Sequence, residues 1–205
     1  MRAWIPVPGT AQERLKRAAL ERFGTHSYDA VGVGELAAAA GVTTGSLYHH
    51  FGNKLALYAI VRADVERRAI DRMRGAAAVS PITNIAGSAP MLLVGFDYLV
   101  AAGFARLLGE EHPVDVGGDP PPDPVAVMLA EFVDEPTVPV SMALTAAWRA
   151  CLRAAVDDAA PARAALARLL GAQASGFSFD ESGMPPGGGA PRPEPNAPSQ
   201  PLDTS

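Results

Sequence analysis

The seventeen residues from Glu35 to Phe51, ELAAAAGVTTGSLYHHF, constrain this chain more than any other stretch. They read as two helices joined by a tight turn, a pair that crosses steeply and tolerates only a small side chain at its closest contact. Ala37 supplies that side chain. Gly41, four residues on, suits a backbone angle that costs energy to any residue with a Cβ. Val42 then plugs the core, Thr43 caps the second helix, and Leu47 and Phe51 take its inward face. Thr44, Gly45, Ser46, Tyr48, His49 and His50 are left pointing outward.

That outward face lacks the Lys and Glu of an ordinary solvated surface. Short hydroxyls and imidazoles reach base edges and phosphates, and a glycine at position 45 permits the close approach that insertion into a major groove requires. A generic helical hairpin would not need this turn chemistry. Charge is distributed to match. The 205-residue chain has a net charge of −5, yet residues 1–74 hold 11 Lys and Arg against 7 Asp and Glu, while the remainder holds 6 against 15. Such asymmetry describes a small basic module on an acidic body.

From Thr10 to about Val61 the sequence resembles the DNA-binding domain of the TetR family of transcriptional regulators, and the run AGVTTGSLYHHFGNK, Ala40 to Lys54, carries most of the likeness. The resemblance implies that Thr44, Gly45, Ser46 and His49 face bases, beside the cap Thr43, and that Tyr48, His50 and Lys54 hold phosphates. Asn53 is placed to cap the following helix, which sets Lys54 beside a helix amino terminus where anions are favoured. Two positions depart from the family's habit: Gly32 and Gly34 stand where a Thr and an Arg are common. Affinity then depends more on Tyr48, His50, Lys54 and the arm Met1 to Gly9, which carries Arg2.

The remainder repeats at helical spacing, with no period-two alternation, so an all-α fold is expected. An N-terminal three-helix helix-turn-helix domain (1–53) is joined by a long helix to a helical ligand-binding and dimerisation domain (54–182), followed by a Pro/Gly-rich tail (183–205). Seven prolines and three glycines in the last 21 residues predict disorder there. The first helix opens on a Thr10–Glu13 capping box, buries Leu15, Ala18, Ala19 and Phe23, and stops at Gly24. The connector carries Leu57, Val61, Val65, Ala69 and Met73, and Gly75 ends it. One helix from Pro90 to Leu108 is apolar nearly all round and must be central. Further helices are expected over 123–133 and 138–158, and Pro161 opens a last one.

Candidate residues for a small apolar effector are Phe96, Asp97, Phe104, Met128, Phe132, Met142 and Trp148, although the same residue types fill ordinary cores. Asp97 has no basic neighbour one turn away. It contacts a ligand, rises in pKa, lies at an exposed helix edge or reaches a distant arginine such as Arg106, Arg149 or Arg153. The alanines 143, 146, 147, 150, 154, 162, 165 and 167 form a hairpin suited to a four-helix homodimer interface or to packing within one chain.

Several classes are disfavoured. A lone Cys151 makes neither an intramolecular disulfide nor a thiolate zinc site, and it reads as an inert buried thiol. Adjacent histidines 49 and 50 project about 100° apart and cannot chelate one metal ion. No cofactor is implied, and no P-loop, GxSxG or HExxH motif supports an enzyme. The apolar run 89–105 contains Asp97 and falls short of the ~20 residues of a membrane span. With no secretory leader, a reduced cytoplasmic protein is expected. The favoured function is a repressor that binds a palindromic double-stranded DNA operator as a homodimer and is released by the effector. The alternative is a small-molecule receptor or carrier with weak or lost DNA binding.

Overall fold

A computed structural model describes residues 9–79, 86–111, 122–132 and 138–171. All regular elements among them are helices: α1 (Ala11–Thr25), α2 (Val33–Ala39), α3 (Thr44–Phe51), α4 (Lys54–Val79), α5 (Ala89–Ala101), α6 (Ala105–Gly109), α7 (Pro124–Phe132), α8 (Val138–Ala155) and α9 (Ala159–Leu169), with one 3₁₀ turn before α5. The tail at 183–205 and nearly all of the arm at 1–9 lie outside the described residues.

Local chemistry explains where the first elements begin and end. The Thr10 hydroxyl accepts from the Glu13 amide at 3.3 Å, while the Glu13 carboxylate takes the Gly9 N–H at 3.0 Å, one residue before the cap. Helix α2 closes on Gly41, whose φ of +63° is left-handed. Gly41 N–H donates to Ala38 O at 3.0 Å and Val42 N–H to Ala37 O at 2.9 Å, the paired bonds of a Schellman ending. The Thr43 hydroxyl accepts from the Ser46 amide at 3.3 Å and starts α3, and the Asn53 carboxamide accepts from Ala56 N–H at 2.7 Å and starts α4.

Glycines moved three of the expected boundaries. Gly24 lies inside α1, which runs on to Thr25. A Cβ at 24 would stand 2.7 Å from Gly103 O, so this glycine serves close packing between α1 and the corner after α5. Gly75 lies within α4, which continues to Val79 because intact backbone hydrogen bonds tolerate one helical glycine at about 1 kcal/mol. The expected single helix 90–108 is two, because Gly103 turns the chain at φ +74° and Phe104 N–H returns to Leu99 O at 2.8 Å. Pro161 does not open α9: Asp158 caps it, two residues earlier than expected.

One hydrophobic cluster runs through the described residues, from Leu15, Phe23, Leu36, Leu47 and Leu57 to Met73, Phe96, Leu107, Met128, Trp148 and Leu166. Full burial of each large member contributes roughly 1.5–3 kcal/mol. At its amino-terminal end the rings of Phe23, Tyr28 and Tyr58 meet with centroids 4.9 to 6.1 Å apart. Helix α4 crosses the cluster from end to end, with Leu57, Val61, Val65, Ala69 and Met73 all buried. It packs on α1, α3, α5, α6 and α7.

Candidate nucleic-acid interface

Helix α3 is held by two buried side chains, Leu47 and Phe51. Thr44, Gly45, Tyr48, His49 and His50 are exposed, Ser46 is half-buried, and Tyr48 leaves 53% of its surface open. A large aromatic so exposed has no part in the core. The His49 and His50 rings lie edge to face with centroids 5.1 Å apart. Nothing beyond the Thr43 hydroxyl, at 3.7 Å, would meet a Cβ at Gly45. The face is open, polar and free of acidic residues.

Lys54 sits elsewhere in the hydrogen-bond economy of the fold. Its ammonium donates to Tyr28 O at 2.9 Å and Val31 O at 3.0 Å and lies 4.0 Å over the Tyr28 ring. Two of its three donors close the loop between α1 and α2 onto α4, leaving one for an outside anion. Gly32 and Gly34, on the adjoining turn and helix, would meet nothing within 4 Å if given a Cβ. Gly32 caps α2 without a side-chain hydrogen bond.

The effector candidates differ in burial. Phe96, Met128 and Trp148 are fully buried, and the Trp148 indole N–H donates to Leu92 O at 3.0 Å. Phe132 is half-buried, as is Phe104, which lies against Gly24 of α1. Met142 is 58% exposed. Asp97 forms a bidentate pair with Arg163 of α9, at 2.7 and 2.8 Å, rather than with any of the three arginines expected, and its carboxylate raises the Arg163 pKa against the opposing effect of partial burial. The partner arrives from a helix 66 residues away, a distance that helical periodicity does not encode. A cleft of about 340 Å³ lies between the end of α1, the α5–α6 corner and the end of α8, lined by Gly24, Val100, Arg106 and Val156 among others. None of the seven candidates lines it.

Two charged ties hold α4 in place. Arg62, nearly buried, donates to Tyr58 Oη at 3.2 Å and to Leu107 O of α6. Burial raises the Tyr58 phenol pKa, and the Arg62 cation only partly offsets that. The second tie centres on Arg149 of α8, whose side chain is 13% exposed. It reaches Asp123 at 2.7 and 3.0 Å, Leu108 O at 2.7 Å, and Glu66 of α4. Burial works against the Arg149 cation, but its bonds to Asp123 and Glu66 prevail and raise its pKa. Burial likewise opposes the Asp123 carboxylate, but the hydrogen bond and charge of Arg149 together with the Val125 and Ala126 amides outweigh it and lower the pKa. The signal for such a tie is a long cation amid Trp148, Cys151 and Leu152; its partners lie too far off in sequence to be read. Cys151 is buried, which raises its thiol pKa and leaves it inert.

Among the described residues no three His, Cys, Asp or Glu side chains group as a metal site, and no helix is long and apolar enough to cross a membrane.

Comparison with known proteins agrees with this geometry. Residues 15–61 match the family of bacterial regulatory proteins, tetR family. A stretch of 45 residues is 47% identical to the HTH-type transcriptional regulatory protein RaaS of Mycobacterium tuberculosis, covering 22% of this chain and 21% of that protein. The match thus spans about a fifth of the relative's length. Two solved structures share the fold at 17% identity and a TM-score of 0.55. One is a tetR family transcription regulator from Shewanella sp. PV-4, covering 78% of this chain and 96% of that one. The other is the fatty acid degradation regulator FadR from Bacillus halodurans, covering 81% and 97%. Residues 15–61 are thus the part of the chain that matches the tetR family of bacterial regulatory proteins.

Proposed function

We propose that the chain is a cytoplasmic, sequence-specific transcriptional regulator that binds double-stranded DNA through α3. The observation that carries this reading is the α3 face itself. Six positions hold hydroxyls, imidazoles, a phenol and a glycine, exposed except for the half-buried Ser46, on a helix anchored by Leu47 and Phe51. In the major groove, Thr44, Gly45, Ser46 and His49 would meet base edges. Tyr48, His50 and the remaining Lys54 donor would meet phosphates.

The working form is a homodimer. Met142, Ala143, Ala146 and Ala150 on α8 and Ala165 and Leu169 on α9 are exposed on two helices that pack together, and Leu169 leaves 66% of its surface open. A second copy would cover them in a four-helix interface, so that two α3 helices read a palindromic operator. The regulator acts as a repressor and is released by a small apolar effector. Phe96, Met128 and Trp148 are buried among α5, α7 and α8, and an effector bound beside them acts by shifting α4, which packs on α5 and α7. Nothing in the site calls for a catalytic role.

A second reading, a ligand receptor that reads DNA weakly, draws on Gly32, Gly34 and the tethered Lys54, which leave α2 and α3 without a free permanent cation. Selection of bound fragments from random double-stranded DNA by the purified full chain separates the two. The regulator yields an inverted repeat with half-site centres one or more helical turns apart, each turn about 34–36 Å. Recovery of no common sequence supports the receptor.

A further inference from the structure

The cleft of about 340 Å³ between the end of α1, the α5–α6 corner and the end of α8 falls in the size range of small-molecule sites, and its lining is chemically simple. Val100, Ala105, Ala155 and Val156 give it apolar walls, Gly24 brings it against α1, and the one charged side chain among the lining residues is Arg106 of α6. That guanidinium is only partly engaged. Its Nη1 donates to Glu110 at 2.9 Å, whereas its Nε is buried and, among the described residues, has no hydrogen-bond partner. A buried donor without an acceptor is costly and uncommon, and it marks a place where an acceptor belongs. We infer that this cleft is a second ligand site, and that it takes a small, mainly apolar molecule carrying a neutral carbonyl oxygen, which accepts the Arg106 Nε–H.

Charge decides against an acid. Glu110 already balances the Arg106 cation, and Asp157 and Asp158 directly follow Val156 in the chain. Asp158 accepts from the Ala160 amide as the α9 cap, and Asp157 is exposed. A carboxylate ligand would meet these acids with no unpaired cation lining the cleft to hold it. A ketone, ester or amide oxygen supplies the acceptor without adding a charge. The Thr25 hydroxyl at the rim is turned back onto Glu21 O and Arg22 O, at 3.0 and 3.2 Å, which leaves Arg106 as the side-chain donor.

The position gives such a ligand leverage. Helix α1 packs on α2, α3, α4 and α6, and at Gly24 it approaches the α5–α6 corner so closely that a Cβ would stand 2.7 Å from Gly103 O. A molecule seated beside that contact pushes on α1, which carries α2 and α3 with it. The leverage on DNA rests on the reading of α3 as the DNA-contacting helix, whereas the binding itself does not.

The test uses the full chain and a set of diphenyl probes: benzophenone, a neutral ketone; diphenylmethane, which has no acceptor; and diphenylacetate, an anion. Equilibrium dialysis gives each Kd, and irradiation of bound benzophenone, which inserts into nearby C–H bonds, marks where it sits. Benzophenone should bind about ten-fold or more tighter than either other probe, the worth of one hydrogen bond to a charged donor. Its label should fall on residues 100–106 and 153–156. Arg106→Lys, which keeps a cation for Glu110 and removes the guanidinium Nε–H, should abolish that preference with an unchanged urea midpoint, and Val156→Phe should weaken all the probes by filling the cleft. Equal Kd values for benzophenone and diphenylmethane, or tighter binding of diphenylacetate, overturn the carbonyl assignment. Label on Phe96, Met128 or Trp148, or no binding of benzophenone, overturns the site. On the operator fragment recovered by selection, saturating benzophenone should change the Kd for DNA about five-fold or more. An unchanged Kd overturns the leverage and leaves the ligand site standing. A chain that selects no DNA sequence overturns the reading of α3, while dialysis and labelling still decide the cleft.

Discussion

The α3 face and the Arg149 centre are both rich in polar groups, and they differ in what those groups have already done. Around Arg149, the guanidinium, Glu66, Asp123 and Leu108 O are bonded to one another inside the protein. On α3, Tyr48, His49 and His50 point to solvent, and Thr43 has only its capping bond. Polar side chains committed inside hold architecture, and those left uncommitted on a rigid, capped helix are available to a partner. The same criterion reassigns Lys54. Its residue type and position suggest phosphate, yet its two carbonyl bonds and its place over Tyr28 make it first a structural tie.

The largest effect expected from this contrast is at Arg149. Arg149→Met leaves two carboxylates without their cation in a largely buried site, so unfolding in urea should show a loss of about 3–5 kcal/mol. Acid sharpens the comparison. The Asp123 pKa is lowered in the folded state, so its contribution is complete above the ordinary carboxylate value of about 3.9 and is lost as pH falls through the folded value. The gap between wild type and Arg149→Met should therefore narrow below about pH 4. A gap that is constant from about pH 7 to 2.5 would mean Asp123 takes no part in the tie.

Lys54→Met comes next. It removes two carbonyl contacts and a cation over a ring, and a loss of about 1–3 kcal/mol in the urea midpoint analysis is expected. Unaltered stability with weakened DNA binding would return Lys54 to a phosphate role alone. Gly41→Ala forces a Cβ into the left-handed region and should cost about 1–2 kcal/mol. Smallest is Asp97→Asn at the exposed pair with Arg163, expected to change stability by no more than about 1 kcal/mol. A larger loss would show that this pair fixes α5 to α9 as firmly as Arg149 fixes α4.

These effects also mark how much could be read from residues alone. The module was legible almost residue by residue, because capping, the positive φ at Gly41 and the inward Leu47 and Phe51 are all decided within a few positions of chain. The body was legible as helices, but not at their joints. Gly24 answers to Gly103 across the fold, Gly103 breaks a run that is apolar on every face, and Gly75 breaks nothing. Pairings were least legible: Arg163 with Asp97, or Arg149 with Glu66, depends on how helices dock rather than on spacing along one of them. Phe96, Met128 and Trp148 have the residue types of a ligand cavity and equally of a core, and burial alone does not separate the two.

The contrast between committed and uncommitted polar groups is tested most directly by Thr44→Ala/Tyr48→Ala, two exposed positions on α3. On the selected operator fragment at fixed salt, Kd should weaken by about 30-fold or more, since contacts of this kind are worth about 1–3 kcal/mol each, while the urea midpoint stays at the wild-type value. Wild-type affinity in a folded double variant would contradict the assignment of α3 as the helix that reads DNA.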